Sequence, residues 1–275
     1  MDELPDWQSA RKHDRIRAMM KDQKALLERE TMGIMQDAAE KAFSGRSINR
    51  FFELPAYTFE STVNHIFVAV DPNAGGKSRF AIVSCAYKDG KIVIIGLEAI
   101  QTHRPSDYEN ILIEHLRLLR RHSRYCSLAT LVLMPEANLG FEAHYIERSV
   151  MRSKMARCCV TMRDDDTPGL RTTHKVKEAM YVKTKDALND DRIVFADSIV
   201  TANPETTAEE LKSELKDEMQ TYSVVVEHPQ SVFADSKKTF TGKIGGFQDD
   251  LIVCLQLNVL WHGDFFLDRK YASYW

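Results

Sequence analysis

Between Ile66 and Ile100 the chain sets down three apolar runs with almost nothing between them but turn residues. Ile66-Phe67-Val68-Ala69-Val70, Phe80-Ala81-Ile82-Val83-Ser84-Cys85-Ala86 and Ile92-Val93-Ile94-Ile95 are too short for buried helices and too continuous for strands with one wet face. Runs of this kind are buried on both faces of a central sheet. We therefore expect strands over 65–71, 79–87 and 91–100, the last two joined by a tight turn at Lys88-Asp89-Gly90. A sheet covered on both sides needs helices, and the rest of the chain supplies them.

Pro105-Ser106-Asp107 starts an amphipathic helix carrying Ile111, Leu112, Leu116 and Leu119 on one side. Leu128–Met134 follows as a strand, 141–154 as a helix, and Cys158–Met162 as a short strand. After a Gly/Pro-containing loop over 163–171 come a helix at 175–188, a strand at 192–195, and a helix at 206–220 that Thr206 or Thr207 caps ahead of Glu209-Glu210. Tyr222–Glu227 and Lys238–Lys243 read as a strand pair, and an apolar helix runs from about Gln248 to Trp261. Three antiparallel strands, then helix, parallel strand, helix and strand, form the ribonuclease-H-like order: α/β, a mixed sheet flanked by helices. Residues 1–62 differ in texture: a charge-rich helix is expected over 6–30 and a short one over 38–52. We accordingly divide the chain into a helical linker or tail, 1–62, and an α/β domain, 63–275.

Three acidic positions stand out against this pattern. Asp71 closes the first strand, Glu136 closes the fourth, and Asp249-Asp250 open the last helix. In the expected order the first and fourth strands are neighbours, so Asp71 and Glu136 meet at one rim, and the final helix brings Asp249 or Asp250 over it. Two carboxylates about 4 Å apart repel by roughly 4 kcal/mol at an effective dielectric near 20. A hard divalent cation, magnesium or manganese, reverses that cost. Each acid alone is explained as a turn former or a helix cap; together, in this order, they point to a metal-dependent phosphodiesterase.

Other features exclude more than they suggest. A net charge of -3 argues against a globally basic nucleic-acid binder, so DNA contact must be local. The five cysteines form no C-x-x-C pair, which argues against a structural zinc site. The opening Met1-Asp2-Glu3-Leu4-Pro5 lacks the basic and apolar parts of a signal peptide, and no apolar run is long enough to span a membrane. An intracellular, reducing setting is expected. Asp71-Pro72-Asn73-Ala74-Gly75-Gly76-Lys77-Ser78 imitates a phosphate-binding P-loop, but its first glycine is missing and it feeds a strand, not a helix. Arg117, Arg120, Arg121 and Arg124 share a helix face that a solvated outer surface explains. His103, His115, His122, His144 and His174 make no ligand pair, and no Ser-His-Asp series is visible.

Val70-Asp71-Pro72, Glu136-Ala137-Asn138 and Phe240-Thr241-Gly242-Lys243-Ile244-Gly245-Gly246-Phe247-Gln248-Asp249-Asp250-Leu251-Ile252-Val253 resemble the nuclease domain of viral DNA-packaging terminase large subunits, herpesvirus-type in particular. The segment 174–195 is similar to that family's lysine-bearing helix and following strand. The resemblance spans about residues 63–265, departs at Ala137, where the family usually has glycine, and lacks the family's ATPase motor. It implies a two-metal endonuclease acting on concatemeric double-stranded viral DNA: Asp71 bridging two Mg2+ or Mn2+ ions, Glu136 holding one, and Asp250 or Asp249 the other. It further implies DNA contacts from Lys175, Lys177, Lys183, Lys185 and Lys243, portal and other terminase subunits as partners, and no membrane. The compartment would be the host nucleus for a herpesvirus-type protein and the host cytoplasm for a phage protein. The rival readings are another ribonuclease-H-like nuclease, of resolvase or transposase type, and a docking module without catalysis.

Overall fold

The computed structural model describes residues 39–72, 79–101, 105–137, 141–163, 166–227, 237–242 and 248–267. Its elements, in chain order, are β1 (Ala39–Lys41), α1 (Gly45–Glu53), β2 (His65–Asp71), β3 (Phe80–Lys88), β4 (Lys91–Ile100), α2 (Pro105–Arg121), β5 (Thr130–Pro135) and α3 (Phe141–Ser153), followed by β6 (Cys158–Val160), α4 (His174–Asn189), β7 (Ile193–Val200), α5 (Ala208–Thr221), β8 (Ser223–Glu227), β9 (Lys237–Thr241) and α6 (Asp250–Leu267). The apolar runs pair as their composition requires. The six-stranded sheet has the order β6-β5-β2-β3-β4-β7. β2, β3 and β4 are antiparallel neighbours, while β5 lies parallel to β2, β6 parallel to β5, and β7 parallel to β4. This is the ribonuclease-H-like mixed sheet.

Side-chain alternation along each strand divides the interior into two cores. Phe67 and Ala69 of β2, Ala81 and Val83 of β3 and Val132 and Met134 of β5 belong to one, together with Leu251, Ile252, Cys254 and Leu255 of α6. Ile66, Val68 and Val70, Ile82, and Leu131 and Leu133 belong to the other, with Leu112, Leu116 and Leu119 of α2 and Ile146 of α3. Alternation is a property of any strand; here it tells which face a rim residue must take. α6 is apolar on nearly every side, and from Leu251 to Leu260 its residues are buried, as expected for a helix enclosed between a sheet and other helices.

α5 begins at the capping box read from sequence: Thr207 accepts from the Glu210 N–H at 3.3 Å, and Glu210 accepts from the Thr207 N–H at 2.8 Å. One segment departs from expectation. The sequence pattern predicts a helix over 38–52, but Ala39–Lys41 is a strand, antiparallel to β8, and the helix begins only at Gly45, capped by Ser44. The strand is set by its partner: β1, β8 and β9 make a second, antiparallel sheet whose backbone pairing local propensity does not announce. Ala42, Phe43, Ile48 and Phe51 then enter the α6-side core. The charge-rich stretch 6–30 lies outside the described residues. No described helix is long and apolar enough to cross a membrane.

Candidate metal centre at the strand-end rim

Asp71 is the last residue of β2, in register with Ala81 of β3. On the other side of β2, Val70 is in register with Pro135, and the Glu136 N–H donates to the Val70 carbonyl at 2.8 Å. The two acids therefore end adjacent parallel strands, whose backbones lie about 4.8 Å apart. Both continue the α6-side alternation: Asp71 follows Phe67 and Ala69, and Glu136 follows Val132 and Met134. They leave the sheet on the same face, toward the N-terminus of α6.

Glu136 is fixed from its far side as well. The segment leading into α4 runs beside it: the Leu170 N–H donates to the Pro135 carbonyl and the Ala137 N–H to the Leu170 carbonyl, both at 2.9 Å. Gly169 makes this close approach possible. Its φ is +84°, and a Cβ there would collide with the Pro135 carbonyl. Further on, the Thr172 hydroxyl donates to Glu136 Oε1. Thr173 then caps α4, its side chain accepting from the Val176 N–H. One helix start thus steadies the carboxylate that the strand delivers. The sequence gives no sign of this role for Thr172, because nothing in a Thr-Thr pair before a helix says which of the two turns outward to a distant acid.

The paired acids diverge, Asp249 standing just before α6 and Asp250 opening it. Asp249 Oδ2 accepts from the Gly242 N–H at 2.9 Å, at the end of β9. Gly242 can be nothing larger, since a Cβ would stand 2.7 Å from that of Asp249. Asp250, fully buried, turns to the start of β3 and accepts from the Arg79 main-chain N–H at 3.1 Å. One helical turn below Asp250, Cys254 donates to the Ala81 carbonyl at 3.5 Å. Burial raises the Cys254 thiol well above its ordinary range, and the negative fields of Asp71, Glu136 and Asp250 raise it further. A single buried thiol thus feels three of the four sequence-selected acids. Tyr222, raised first by burial, feels Asp249 and Glu136. As placed, the described His, Cys, Asp and Glu side chains include no group of three closed round one point. The donor set is nevertheless all oxygen, the ligand chemistry of magnesium and manganese rather than zinc.

The expected DNA contacts divide. Lys175 and Lys177 lie in the first turn of α4, the end that Thr172 ties to Glu136. Lys183 and Lys185 lie in its later half, and Lys185 reaches back to Tyr181 rather than forward to the rim. Lys175 and Lys185 are exposed, Lys177 and Lys183 half-buried. Lys243, like Asn138, falls outside the described residues. On α2, Arg120 donates to the Ala156 and Arg157 carbonyls and Arg117 to Glu114, which is what a surface helix face does with arginines.

No family model matches the chain, and no curated protein matches it in sequence. Solved structures do. The inhibitor-bound, manganese-soaked terminase nuclease domain of human cytomegalovirus superposes with a TM-score of 0.59 at 16% identity, covering 84% of this chain and 97% of that one. The fold is that of a viral terminase nuclease domain. The same domain soaked in manganese gives a TM-score of 0.58 at 16% identity over 82% of this chain and 98% of that one. The large terminase of bacteriophage HK97 gives 0.52 at 8% identity, covering 92% of this chain and 51% of that one.

Proposed function

We propose that this chain is a divalent-metal-dependent endonuclease of terminase type, hydrolysing the phosphodiester backbone of double-stranded DNA with two Mg2+ or Mn2+ ions. The observation that carries the proposal is the common exit of Asp71 and Glu136 from adjacent parallel strands on the α6 face, with Asp250 arriving on α6. Uncompensated, these carboxylates repel; cations between them turn the cost into binding. Asp71 sits centrally and would contact both ions, Glu136 one, and Asp250 the other, with Asp249 as the alternative for that last place. Bound divalent ions supply Lewis acidity toward water and toward the departing 3′ oxygen. The chain's own residues do the rest: Thr172 keeps Glu136 in one orientation, Gly242 holds Asp249, and Lys175 and Lys177, in the first turn of the helix that Thr172 precedes, would contact a phosphate backbone crossing the rim. Concatemeric viral DNA as substrate, with portal and companion terminase subunits as partners, follows from the same reading. So does action in the host nucleus or cytoplasm, according to the kind of virus.

Purified protein incubated with linear duplex should cut it in Mn2+ or Mg2+, with little sequence preference, and cease on addition of EDTA. Cleavage that persists in EDTA, or no cleavage together with no thermal stabilisation by Mn2+, would refute the proposal.

A further inference from the structure

Arg79 stands just before β3, on the face that Ala81 and Val83 present to α6. Its side chain is only 15% exposed and spans two helices. Nη1 donates to Glu214 Oε2 at 2.6 Å and Nη2 to Glu218 Oε1 at 2.8 Å, both on α5. Nε lies 3.8 Å from Asp250 Oδ2, the oxygen that also accepts the Arg79 main-chain N–H. The second oxygen of Glu218 accepts the Ile252 N–H at 2.9 Å, in the first turn of α6. One residue thus offers Asp250 both a main-chain donor and a guanidinium, while two α5 carboxylates keep the guanidinium from turning away. A buried ion cluster is a weak stabiliser, since apolar packing of equal volume commonly does as well or better. The fork spends its two Nη donors on Glu214 and Glu218, which fixes the guanidinium; toward Asp250 it then presents charge at 3.8 Å, beside the main-chain N–H that makes the hydrogen bond.

We propose that Arg79 is a positioning residue for Asp250: it fixes one carboxylate oxygen, so that Asp250 meets a divalent ion in a single orientation, and Glu214 and Glu218 serve to hold Arg79. The inference deepens the reading of the rim as a divalent-ion site and rests on it. Partners that orient a metal ligand typically contribute about 10–100-fold to metal affinity.

The test is Mn2+ binding by the full chain without DNA, measured calorimetrically and by thermal shift. Arg79→Met alone would leave Glu218 buried without its cation, so it is paired with Glu218→Gln, which preserves the acceptor for the Ile252 N–H. The double variant should fold and bind Mn2+ about 10-fold more weakly. Glu218→Gln alone, which loosens Arg79 but leaves it on Glu214 and beside Asp250, should weaken Mn2+ binding less than the double variant does; binding as weak as the double variant's would move the effect from Arg79 to Glu218 and overturn the inference. A folded double variant with wild-type or tighter Mn2+ affinity would overturn the inference, tighter binding being what mere charge competition predicts. If the double variant does not fold, Arg79→Lys, which keeps the charge and loses the fork, decides the matter in its place: unchanged affinity overturns the inference, weakened affinity supports it. A wild-type protein that neither binds Mn2+ nor cuts DNA removes the rim reading and this inference together; one that does both, with variants unchanged, removes the inference alone.

Discussion

One acid on one face of the sheet and a gathering of acids on the other are treated differently. On the α2 face, Glu98 of β4 is fully buried and accepts from His115 Nδ1 at 2.7 Å, from the Thr201 hydroxyl at 3.2 Å, and from the Ala202 and Asn203 N–H groups. His115 Nε2 meets the Ser84 hydroxyl at 2.9 Å, and Gly96 leaves room for the imidazole, since a Cβ there would approach it to 2.7 Å. Serine, histidine and glutamate in hydrogen-bonded series imitate a hydrolytic triad, but all three have zero exposure, so no substrate reaches the hydroxyl. On the α6 face the acids converge at the rim. Asp71, Glu136 and Asp250 share one thiol's surroundings, and Asp250 alone of them lies beside an arginine, Arg79. The first binds α2 and the chain after β7 to the sheet. The second brings several carboxylates to one rim, and the proposed divalent-ion site rests on that gathering. The same residue type is matched by four donors in the first case and stands with other acids close by in the second.

That contrast can be broken by substitution. Asp71→Asn or Glu136→Gln should lower DNA cleavage by at least about 100-fold, a loss typical of removing one strong electrostatic contact in an active site. The melting temperature should hold or rise, because a repulsive neighbour is removed. A fall in stability matching the loss of activity would make the rim acids structural and erase the distinction. Glu98→Ala should do the reverse. It strands His115 and two main-chain N–H groups in an apolar interior, at a cost of about 3–5 kcal/mol in denaturant unfolding. Whatever folds should cut DNA with unchanged metal dependence; a specific change in that dependence would mean that the two faces are coupled.

A further test concerns pH. His262 is buried against Phe67, with ring centroids 4.5 Å apart, and burial pulls its pKa down from 6.5 to about 3. Its folded pKa lies below the unfolded one, so its contribution is complete above about 6.5 and is lost as pH falls toward about 3. His262→Phe should flatten the acid limb of the stability curve between those values. An unchanged limb would show that the slope comes from the acids alone.

Much of the fold is legible in the sequence. Strand and helix positions from β2 to α6 follow from apolar runs, caps and turns, and element order alone puts Asp71 and Glu136 on adjacent strands. The strand over 39–41 is not legible, because its reason is β8, a partner far along the chain. Thr172 and Arg79 escape notice for a related cause. Neither belongs to a motif, and each matters only through the acid it reaches, Glu136 in the first case and Asp250 in the second. The Ser84–His115–Glu98 series is invisible because its members lie on three elements with no fixed spacing.

Sequence by itself determined the periodicities: which runs are strands, which face each strand residue takes, and that acids end two of the strands and open the last helix. These are short-range consequences of backbone geometry, set by alternation in strands and by rotation in helices. Tertiary structure alone decided the company each acid keeps: Arg79 and α5 for Asp250, Thr172 for Glu136, His115 and the turn after β7 for Glu98. Those pairings depend on sheet register and on where helices dock, which the packing of the whole core sets and no local pattern encodes.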